Sequence, residues 1–343
     1  QSTSLIFTLT PFMRGCYYDV MMNTSPQKKH VKILFTAISL LTVATVFAQR
    51  PAPEYADSVL GRWDLTVDSP DGSYPSWLEI RLRTEWQLMG SFVGRFGSAR
   101  HIAAIDYDNG RLEFRVPVQY EQNPDDLHFV GTLSGDRLEG TTVDSSGRTL
   151  AWSAVRAPSL ERQHTPQWGD SLELWNGRDL EGWRPRSDEQ PGCWSVADNL
   201  LVATPPCVDL ISERTFEDFR LHVEFKYPPG SNSGLYLRGR YEVQIQDDIG
   251  KALDPLRIGG VYGFLTPTAN AARAANEWQV YDITLIGRRI VVVLNGRTIV
   301  DDQIVPGITG GALDSNEGLP GPLMLQGDHD QISFRQITLT PAQ

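Results

Sequence analysis

Residues 232–247 carry the side chains whose types and spacing best suit chemistry in this chain. Read with a period of two, the segment predicts one strand, over residues 235–246, with an apolar face and a polar face. Glutamate, arginine, glutamine and tyrosine recognise hydroxyl and carbonyl groups. A ligand-binding face and the wet face of an ordinary antiparallel sheet both fit this pattern. The polar face consists of Tyr236, Arg238, Arg240, Glu242, Gln244 and Gln246.

Two β-rich regions are predicted to position this strand. Residues 57–157 contain about eight short alternating segments with turn signals between them, which predicts a small antiparallel β-barrel or sandwich. Residues 158–170 are polar and contain two prolines, as expected of a linker. Residues 171–343 predict a second all-β domain, in which Asn295-Gly296 is the strongest hairpin signal. Long loops at 248–277 and 306–322 flank the polar strand and predict a rim around a site.

The start of the chain predicts export. Residues 1–48 are interpreted as a pre-sequence and a signal peptide, in which lysines precede the apolar run 33–47 and cleavage follows Ala48. Residues 49–343 then hold 27 basic and 41 acidic residues, a formal charge of −14, which argues against nucleic acid and anionic membranes as partners. We expect a periplasmic or secreted protein with no membrane association after cleavage. Its two remaining cysteines, Cys193 and Cys207, are predicted to form a disulfide.

An ordered series of motifs in the second half resembles a known family. The series includes L-W-N-G-R-D-L-E-G-W at 174–183, F-E-D-F-R-L-H-V-E-F-K at 216–226, N-S-G-L-Y-L-R at 232–238, G-G-V-Y-G at 259–263 and L-Q-G-D-H at 325–329. Over about residues 170–341 the chain is similar to the 3-keto-disaccharide hydrolase family. The resemblance implies a concanavalin-like jelly-roll β-sandwich. This sequence departs from the family's usual pattern at Asp330, which follows His329, and at the short Gly239-Arg240 connection.

The resemblance also implies an enzyme that cleaves 3-keto-glycosides, with an oxidised oligosaccharide or glycoside as its substrate. A ketone at sugar carbon 3 acidifies the hydrogen on carbon 2, so the glycosidic bond can break by elimination. Water addition to the enone completes hydrolysis, whereas a lyase stops before it. The route needs a base, a group that stabilises the enolate oxygen and a proton donor for the departing oxygen. We predict Glu242 and His329 for proton transfer and Arg238 for the oxygen, with a Glu242–Arg238 ion pair as the structural alternative.

Other residues of the matching motifs are predicted to bind the sugar or a metal. Amides suit hydroxyl groups and aromatic rings stack on sugar rings. A divalent ion that involves Asp247 and Asp328 is an open alternative for the electrophile. Four tryptophans are assigned to packing: Trp63, Trp77, Trp152 and Trp183. The predicted substrate-binding residues are Asn232, Tyr236, Gln244, Tyr262, Trp278 and Gln326.

Two other functions stay open at this point. A glycosidase with two catalytic carboxylates, spaced about 5 Å or roughly 6.5–9.5 Å apart, would use Glu224 and Glu242. A non-catalytic carbohydrate-binding module would need aromatic rings and amides but no set of proton-transfer groups. Convergence of Arg238, Glu242 and His329 in one cleft would favour the enzyme. His222 is the second choice for the histidine.

Overall fold

The computed structural model describes residues 58–84, 87–187 and 193–343, and all regular elements in these ranges are β-strands. This confirms the all-β prediction. The pre-sequence and signal peptide predicted at residues 1–48 lie outside the described residues. Within the described ranges no helix is long and apolar enough to cross a membrane.

The first eight strands form a closed antiparallel barrel, in which each strand pairs with the next and the last pairs with the first. Alternate side chains point inward, and the rings of Phe92, Phe114, Phe129 and Trp152 fill the interior with centroids 4.9–6.2 Å apart. The strands are β1 (Gly61–Asp68), β2 (Tyr74–Thr84), β3 (Gln87–Val93), β4 (Arg100–Asp108), β5 (Arg111–Val116), β6 (Leu127–Ser134), β7 (Arg137–Val143) and β8 (Thr149–Arg156).

The remaining strands form two sheets. The five-stranded sheet has the order β10-β13-β20-β15-β16, and the eight-stranded sheet has the order β11-β12-β21-β14-β17-β18-β19, with β9 paired to β21. Their bounds are β9 (Leu172–Glu173), β10 (Trp183–Pro185), β11 (Trp194–Ala197), β12 (Leu200–Ala203), β13 (Leu210–Phe216), β14 (Phe219–Lys226), β15 (Asn232–Leu237), β16 (Tyr241–Gln246), β17 (Gln279–Ile286), β18 (Arg289–Leu294), β19 (Arg297–Ile304), β20 (Gly321–Leu325) and β21 (Ile332–Pro341).

The two sheets share one hydrophobic core. Strand β14 contributes every second residue, from Phe219 to Phe225, and β16 contributes Tyr241, Val243 and Ile245. Asn295 and Gly296 have φ values of 51° and 80° between β18 and β19, which confirms the predicted hairpin turn. All four tryptophans assigned to packing are at most 5% exposed: Trp63, Trp77, Trp152 and Trp183.

The barrel and the sheets form one compact unit. Trp77 and Val93 of the barrel belong to the core of the two sheets rather than to the barrel interior. The Trp77 indole lies against Gly307, where an added Cβ would fall 2.1 Å from Nε1, and edge-on to the Phe264 ring at 5.4 Å. Packing this close means that the barrel and the sheets bury apolar surface on each other.

The single strand predicted over residues 235–246 is wrong. The chain reverses at Arg238 and Gly239, whose φ values are 52° and 65°, so the segment is a hairpin of β15 and β16. The Arg240 amide donates to the Leu237 carbonyl at 3.0 Å across the turn. The reversal places Tyr236 directly opposite Glu242 on the neighbouring strand. It also moves Arg238 from the predicted polar face to the tip of the hairpin.

Candidate functional site

The face of the five-stranded sheet that points away from the shared core carries most of the predicted site, and we call it the outer face. Even-numbered residues of β15 and β16 lie there because odd-numbered ones fill the core. Ile211, Met324 and Tyr236 form a small apolar cluster on it, and Glu242 continues their row across the sheet. Loop residues pair with the free edge of β16: the Tyr262 amide donates to the Glu242 carbonyl at 3.0 Å, and Thr309 Oγ1 accepts from the Glu242 amide at 3.0 Å.

Glu242 is the buried carboxyl group at the centre of this face, with only 3% of its surface exposed. Burial raises its pKa to about 8, against opposing effects of the Tyr236 hydrogen bond and the nearby His329 charge. Its Oε2 lies 3.0 Å from the Tyr236 hydroxyl. Its Oε1 fills the space beside Gly234, where an added Cβ atom would lie only 2.2 Å from this oxygen. Gly234 therefore provides the room for this carboxyl group.

Tyr236 positions Glu242 instead of offering a stacking surface. The residue is 2% exposed, and its hydroxyl lies between Glu242 Oε2 and the Gly310 carbonyl, at 3.0 Å and 2.9 Å, so its one proton is shared between these two acceptors. Burial, followed by the Glu242 charge, raises the pKa of the Tyr236 phenol well above its usual value. The phenol therefore stays protonated. The prediction that Tyr236 stacks on a sugar ring is wrong, since its ring has almost no accessible face.

His329 and Asp328 supply a charged pair next to Glu242. Nδ1 of His329 lies 2.5 Å from Oδ1 of Asp328, and the imidazole is 44% exposed. The Asp328 hydrogen bond raises the pKa of His329, with further contributions from the charges of Glu242 and Asp209. The raised pKa values therefore favour the protonated form of both His329 and Glu242.

Asp209 and Arg186 belong to this face and were missed in the sequence. Asp209 is 5% exposed, accepts from the Gly327 amide at 3.1 Å and pairs with Arg186 at 2.9 Å. Burial and the charge of Asp328 raise the pKa of Asp209. Arg186 also donates to the Gly311 carbonyl at 3.0 Å. Arg186 directly follows β10 and Asp209 directly precedes β13, and no local motif distinguishes either residue.

Three amides predicted to bind substrate lie on the outer face. Gln244 lies 3.0 Å from the Asn232 side chain, and in the orientation that satisfies its neighbours it donates to Glu242 Oε1 at 3.2 Å. The Gln326 amide nitrogen of the main chain donates to the Gly234 carbonyl at 2.9 Å, which places residue 326 beside Glu242. The side-chain Oε1 of Gln326 is buried and has no hydrogen-bond partner within the described ranges. A substrate hydroxyl would satisfy it.

Arg238 and Trp278 lie elsewhere, so both predictions are wrong. The Arg238 guanidinium is buried at the hairpin tip, where it donates to the Tyr241 hydroxyl at 2.8 Å and to the Gly287 carbonyl at 3.1 Å. Trp278 lies on the eight-stranded sheet, where the charged ends of Lys226 and Arg335 lie 5.0 Å and 4.3 Å from its ring. Arg238 is therefore excluded from the expected convergence, whereas Glu242 and His329 are close enough for each charge to shift the pKa of the other side chain.

The two aspartates predicted as metal ligands hold local structure. Asp247 accepts from the Gly230 amide at 2.9 Å, and Asp328 binds His329. In the part of the chain that the structure describes, no group of three or more His, Cys, Asp and Glu side chains is arranged to hold a metal ion. Cys193 and Cys207 form a disulfide with Cα atoms 5.1 Å apart, shortly before Asp209 in the chain.

Glu224 and His222, the alternative catalytic residues, lie on the eight-stranded sheet and not on the outer face. Glu224 pairs there with Arg335, and His222 pairs with Asp282 at 2.7 Å. Glu224 and Glu242 therefore belong to different sheets, which excludes them as the two carboxylates of a glycosidase. His222 is likewise separated from Glu242 by the shared core.

Residues 170–340 match a family model described as the 3-keto-alpha-glucoside-1,2-lyase-like domain. The 3-keto-disaccharide hydrolase of Bacteroides thetaiotaomicron is 23% identical over 142 residues, which are 37% of this chain and 49% of that protein, so the chain spans about half the length of this curated relative. Two solved structures of candidate glycosyl hydrolases from Parabacteroides distasonis are 27% and 25% identical, cover 50% of this chain and 83% and 98% of their own, and have TM-scores of 0.43 and 0.39. Through residues 170–340, the chain belongs to the 3-keto-alpha-glucoside-1,2-lyase-like family.

Proposed function

We propose that this protein is an exported carbohydrate-active enzyme that cleaves the glycosidic bond of 3-keto-glycosides, with Glu242 as its central proton-transfer group. The observation that carries the proposal is a buried carboxyl group whose pKa is raised to about 8 on a face that also holds His329 and an unsatisfied amide oxygen. Burial of such a carboxyl group costs desolvation free energy, and a buried carboxyl group with a raised pKa is typical of an acid or base site. The Bacteroides relative is named a 3-keto-disaccharide hydrolase, and this name supports the substrate class, although the match covers only about half of that protein.

The first step is removal of the hydrogen on carbon 2 by ionised Glu242. A base whose pKa is about 8 accepts a proton from a weak carbon acid more readily than an ordinary glutamate does. The electron pair of the C–H bond forms the enolate of the carbon 3 ketone. When this enolate collapses, the bond between carbon 1 and the glycosidic oxygen breaks and a double bond forms between carbons 1 and 2. No oxidant or reductant is consumed.

His329 then protonates the departing oxygen. Asp328 raises the pKa of His329, which favours its protonated form, and 44% of the side chain is open to solvent or substrate. Addition of water to carbon 1 of the enone completes hydrolysis, and release of the enone gives the lyase outcome. Gln326 is assigned to the sugar, with its unpaired Oε1 accepting from a hydroxyl group.

Two further parts of the proposal concern the context of the site. The two sheets around one core are proposed to be the concanavalin-like jelly-roll sandwich of the family, which would make residues 171–343 the catalytic domain. Residues 21–48 are proposed to direct export to the periplasm or the medium. Addition of residues 1–48 to a reporter enzyme, followed by cell fractionation, tests the export step.

The decisive experiment compares an oxidised and an unoxidised substrate. The purified protein is incubated with a 3-keto-disaccharide and with its parent disaccharide, with and without a chelator, and sugar release is followed by chromatography. Cleavage of the 3-keto substrate alone supports elimination. Cleavage of the parent disaccharide would refute it, and binding of either sugar without cleavage would favour a carbohydrate-binding module. Loss of activity with the chelator would require a metal electrophile in place of the side chains named above.

A further inference from the structure

Two aromatic side chains are exposed in the described part of the chain, and both belong to the barrel. Phe96 is 52% exposed and Tyr120 is 60% exposed. Every other Phe, Tyr and Trp that the structure describes is buried or half-buried. Scattered exposed aliphatic residues are ordinary on a protein surface, whereas adjacent exposed aromatic rings are typical of ligand contact. We call Phe96 and Tyr120 the aromatic rim.

The loop that carries Phe96 and the loop that carries Tyr120 are joined by hydrogen bonds between Ser98 and Gln119. The Ser98 amide donates to Gln119 Oε1 at 3.1 Å, and Gln119 Nε2 donates to Ser98 Oγ at 3.0 Å. Between the rings, an added Cβ on Gly97 would lie 2.9 Å from the Tyr120 ring. The chain next to Phe96 therefore packs against the Tyr120 ring, and the Arg95 guanidinium lies 5.2 Å from the centre of the Phe96 ring.

A buried ion pair holds the Tyr120 loop in place. Glu121 accepts hydrogen bonds from the amides of Gln119 and Tyr120 at 2.9 Å and 3.1 Å. The same carboxylate pairs at 2.7 Å with Arg100, which is 8% exposed and also donates to the Pro117 carbonyl at 2.8 Å. A loop fixed in this way presents the Tyr120 ring without a large loss of entropy on binding.

The aromatic rim is joined to the Glu242 site through two loops. Burial and the neighbouring Tyr120 raise the pKa of Tyr262, whose main-chain amide donates to the Glu242 carbonyl. On the other side, the Gly311 amide donates to the carbonyl of Arg95, the residue before Phe96, at 2.9 Å.

The second loop reaches the site through Gly310. A Cβ added to Gly310 would fall 2.2 Å from the Gly97 carbonyl oxygen, and the Gly310 carbonyl accepts from the Tyr236 hydroxyl that holds Glu242. One turn of chain therefore contacts the aromatic rim and the proton-transfer site at once.

We propose that the aromatic rim is a subsite for the second sugar ring of the substrate, so the barrel determines that the enzyme prefers disaccharides to simple glycosides. The proposal rests on the proposed cleavage of 3-keto-glycosides. The apolar face of a sugar ring packs on phenyl and phenol rings, and the Tyr120 hydroxyl adds a polar contact at the ring edge. A glycoside with a one-carbon leaving group cannot reach this subsite.

The test compares a 3-keto-disaccharide with the methyl 3-keto-glycoside of the same sugar. Phe96→Ala and Tyr120→Ala are each expected to lower the ratio of the two kcat/KM values about tenfold, which matches the loss of one stacked ring. Tyr120→Phe keeps the ring and should keep most of the ratio. Val155→Ala, on a barrel residue that is 47% exposed, is the matched control. An unchanged ratio in both alanine variants, with unchanged melting temperatures, would overturn the proposal.

A binding measurement separates this inference from the proposed function. If the wild-type protein cleaves neither substrate, the proposed function fails, and calorimetric titration with the unoxidised disaccharide decides the subsite. Weaker binding in Tyr120→Ala than in Val155→Ala would support the aromatic rim as a sugar subsite. Equal binding in the two variants would reject it.

Discussion

Replacing Glu242 by glutamine is expected to stabilise the fold at neutral pH while it removes activity. The carboxyl group has a pKa of about 8 in the folded protein and 4.5 in a model peptide. Between these values the folded state binds a proton that the unfolded chain releases, so the free energy of unfolding falls as pH rises, by up to about 1.4 kcal/mol per pH unit. From pH 5 to pH 8 this amounts to about 4 kcal/mol for Glu242 alone. Glutamine cannot titrate, so the variant should lack this contribution.

The same titration sets the pH dependence of cleavage. If ionised Glu242 is the base, only about one tenth of the protein carries the ionised base at pH 7. The value of kcat/KM should therefore rise from pH 5 upward and then fall at higher pH, where His329 loses the proton that it gives to the departing oxygen. Loss of a positioned base typically lowers the rate by about 10²–10⁴-fold, and Glu242→Gln should fall in this range. Initial rates on a 3-keto-disaccharide between pH 5 and pH 9, corrected for uncatalysed elimination, measure the profile. Urea unfolding at the same pH values measures stability.

Glu213→Gln provides the matched control, because Glu213 is an exposed carboxylate on the same five-stranded sheet. It should change neither the pH profile nor the pH dependence of stability. Full activity in Glu242→Gln would remove Glu242 from the mechanism. A stability slope that stays the same in Glu242→Gln would refute the raised pKa. A profile that does not rise between pH 5 and pH 6 would reject ionised Glu242 as the base.

Three more predictions concern the surroundings of the site. Gly234→Ala should lower kcat/KM at least tenfold at a nearly unchanged melting temperature, because its Cβ would displace the Glu242 carboxylate; unchanged kinetics would contradict the placement. Burial and Glu317 raise the pKa of Asp64 to about 9, so stability should fall from about pH 4 to 9, and Asp64→Asn should flatten this decline in urea unfolding. Replacing Cys193 and Cys207 by serine should lower the free energy of unfolding by about 3 kcal/mol, as expected for a loop of this length; no loss would show that the bridge is dispensable.

The strands could be predicted from the sequence, but the reversal at Arg238 could not. Alternation identifies a strand because buried and exposed side chains repeat every two residues. The turn of β15 into β16 contains three residues, 238 to 240, so apolar residues stay odd-numbered on both sides of it: Leu235, Leu237, Tyr241, Val243 and Ile245. A turn with an odd number of residues therefore preserves the period. Arg238-Gly239 is also a weak turn signal beside Asn295-Gly296, because arginine seldom adopts a positive φ.

Glu242 could be predicted because it is the only acid in the alternating polar row, and the buried sheet face then raises its pKa. Its charged neighbours come from distant parts of the chain. Arg186, Asp209 and His329 meet because β10, β13 and β20 lie side by side in the sheet, an order that periodicity does not reveal. The guanidinium group that lies on this face belongs to Arg186, which pairs with Asp209 and donates to the Gly311 carbonyl.

The segment from Gly307 to Gly311 connects the barrel to the Glu242 site through close packing contacts. Gly307 packs on the buried Trp77 indole, Gly310 packs on Gly97, and the Gly310 carbonyl binds the hydroxyl of Tyr236. These approaches leave no space for a side chain at either glycine, so the barrel and the site cannot shift relative to each other without breaking these contacts. The position of the Glu242 partner Tyr236 therefore depends on the barrel as well as on the sheet that carries it. Substitutions that disturb the contact between Gly307 and Trp77 should therefore shift the pKa of Glu242 through Tyr236.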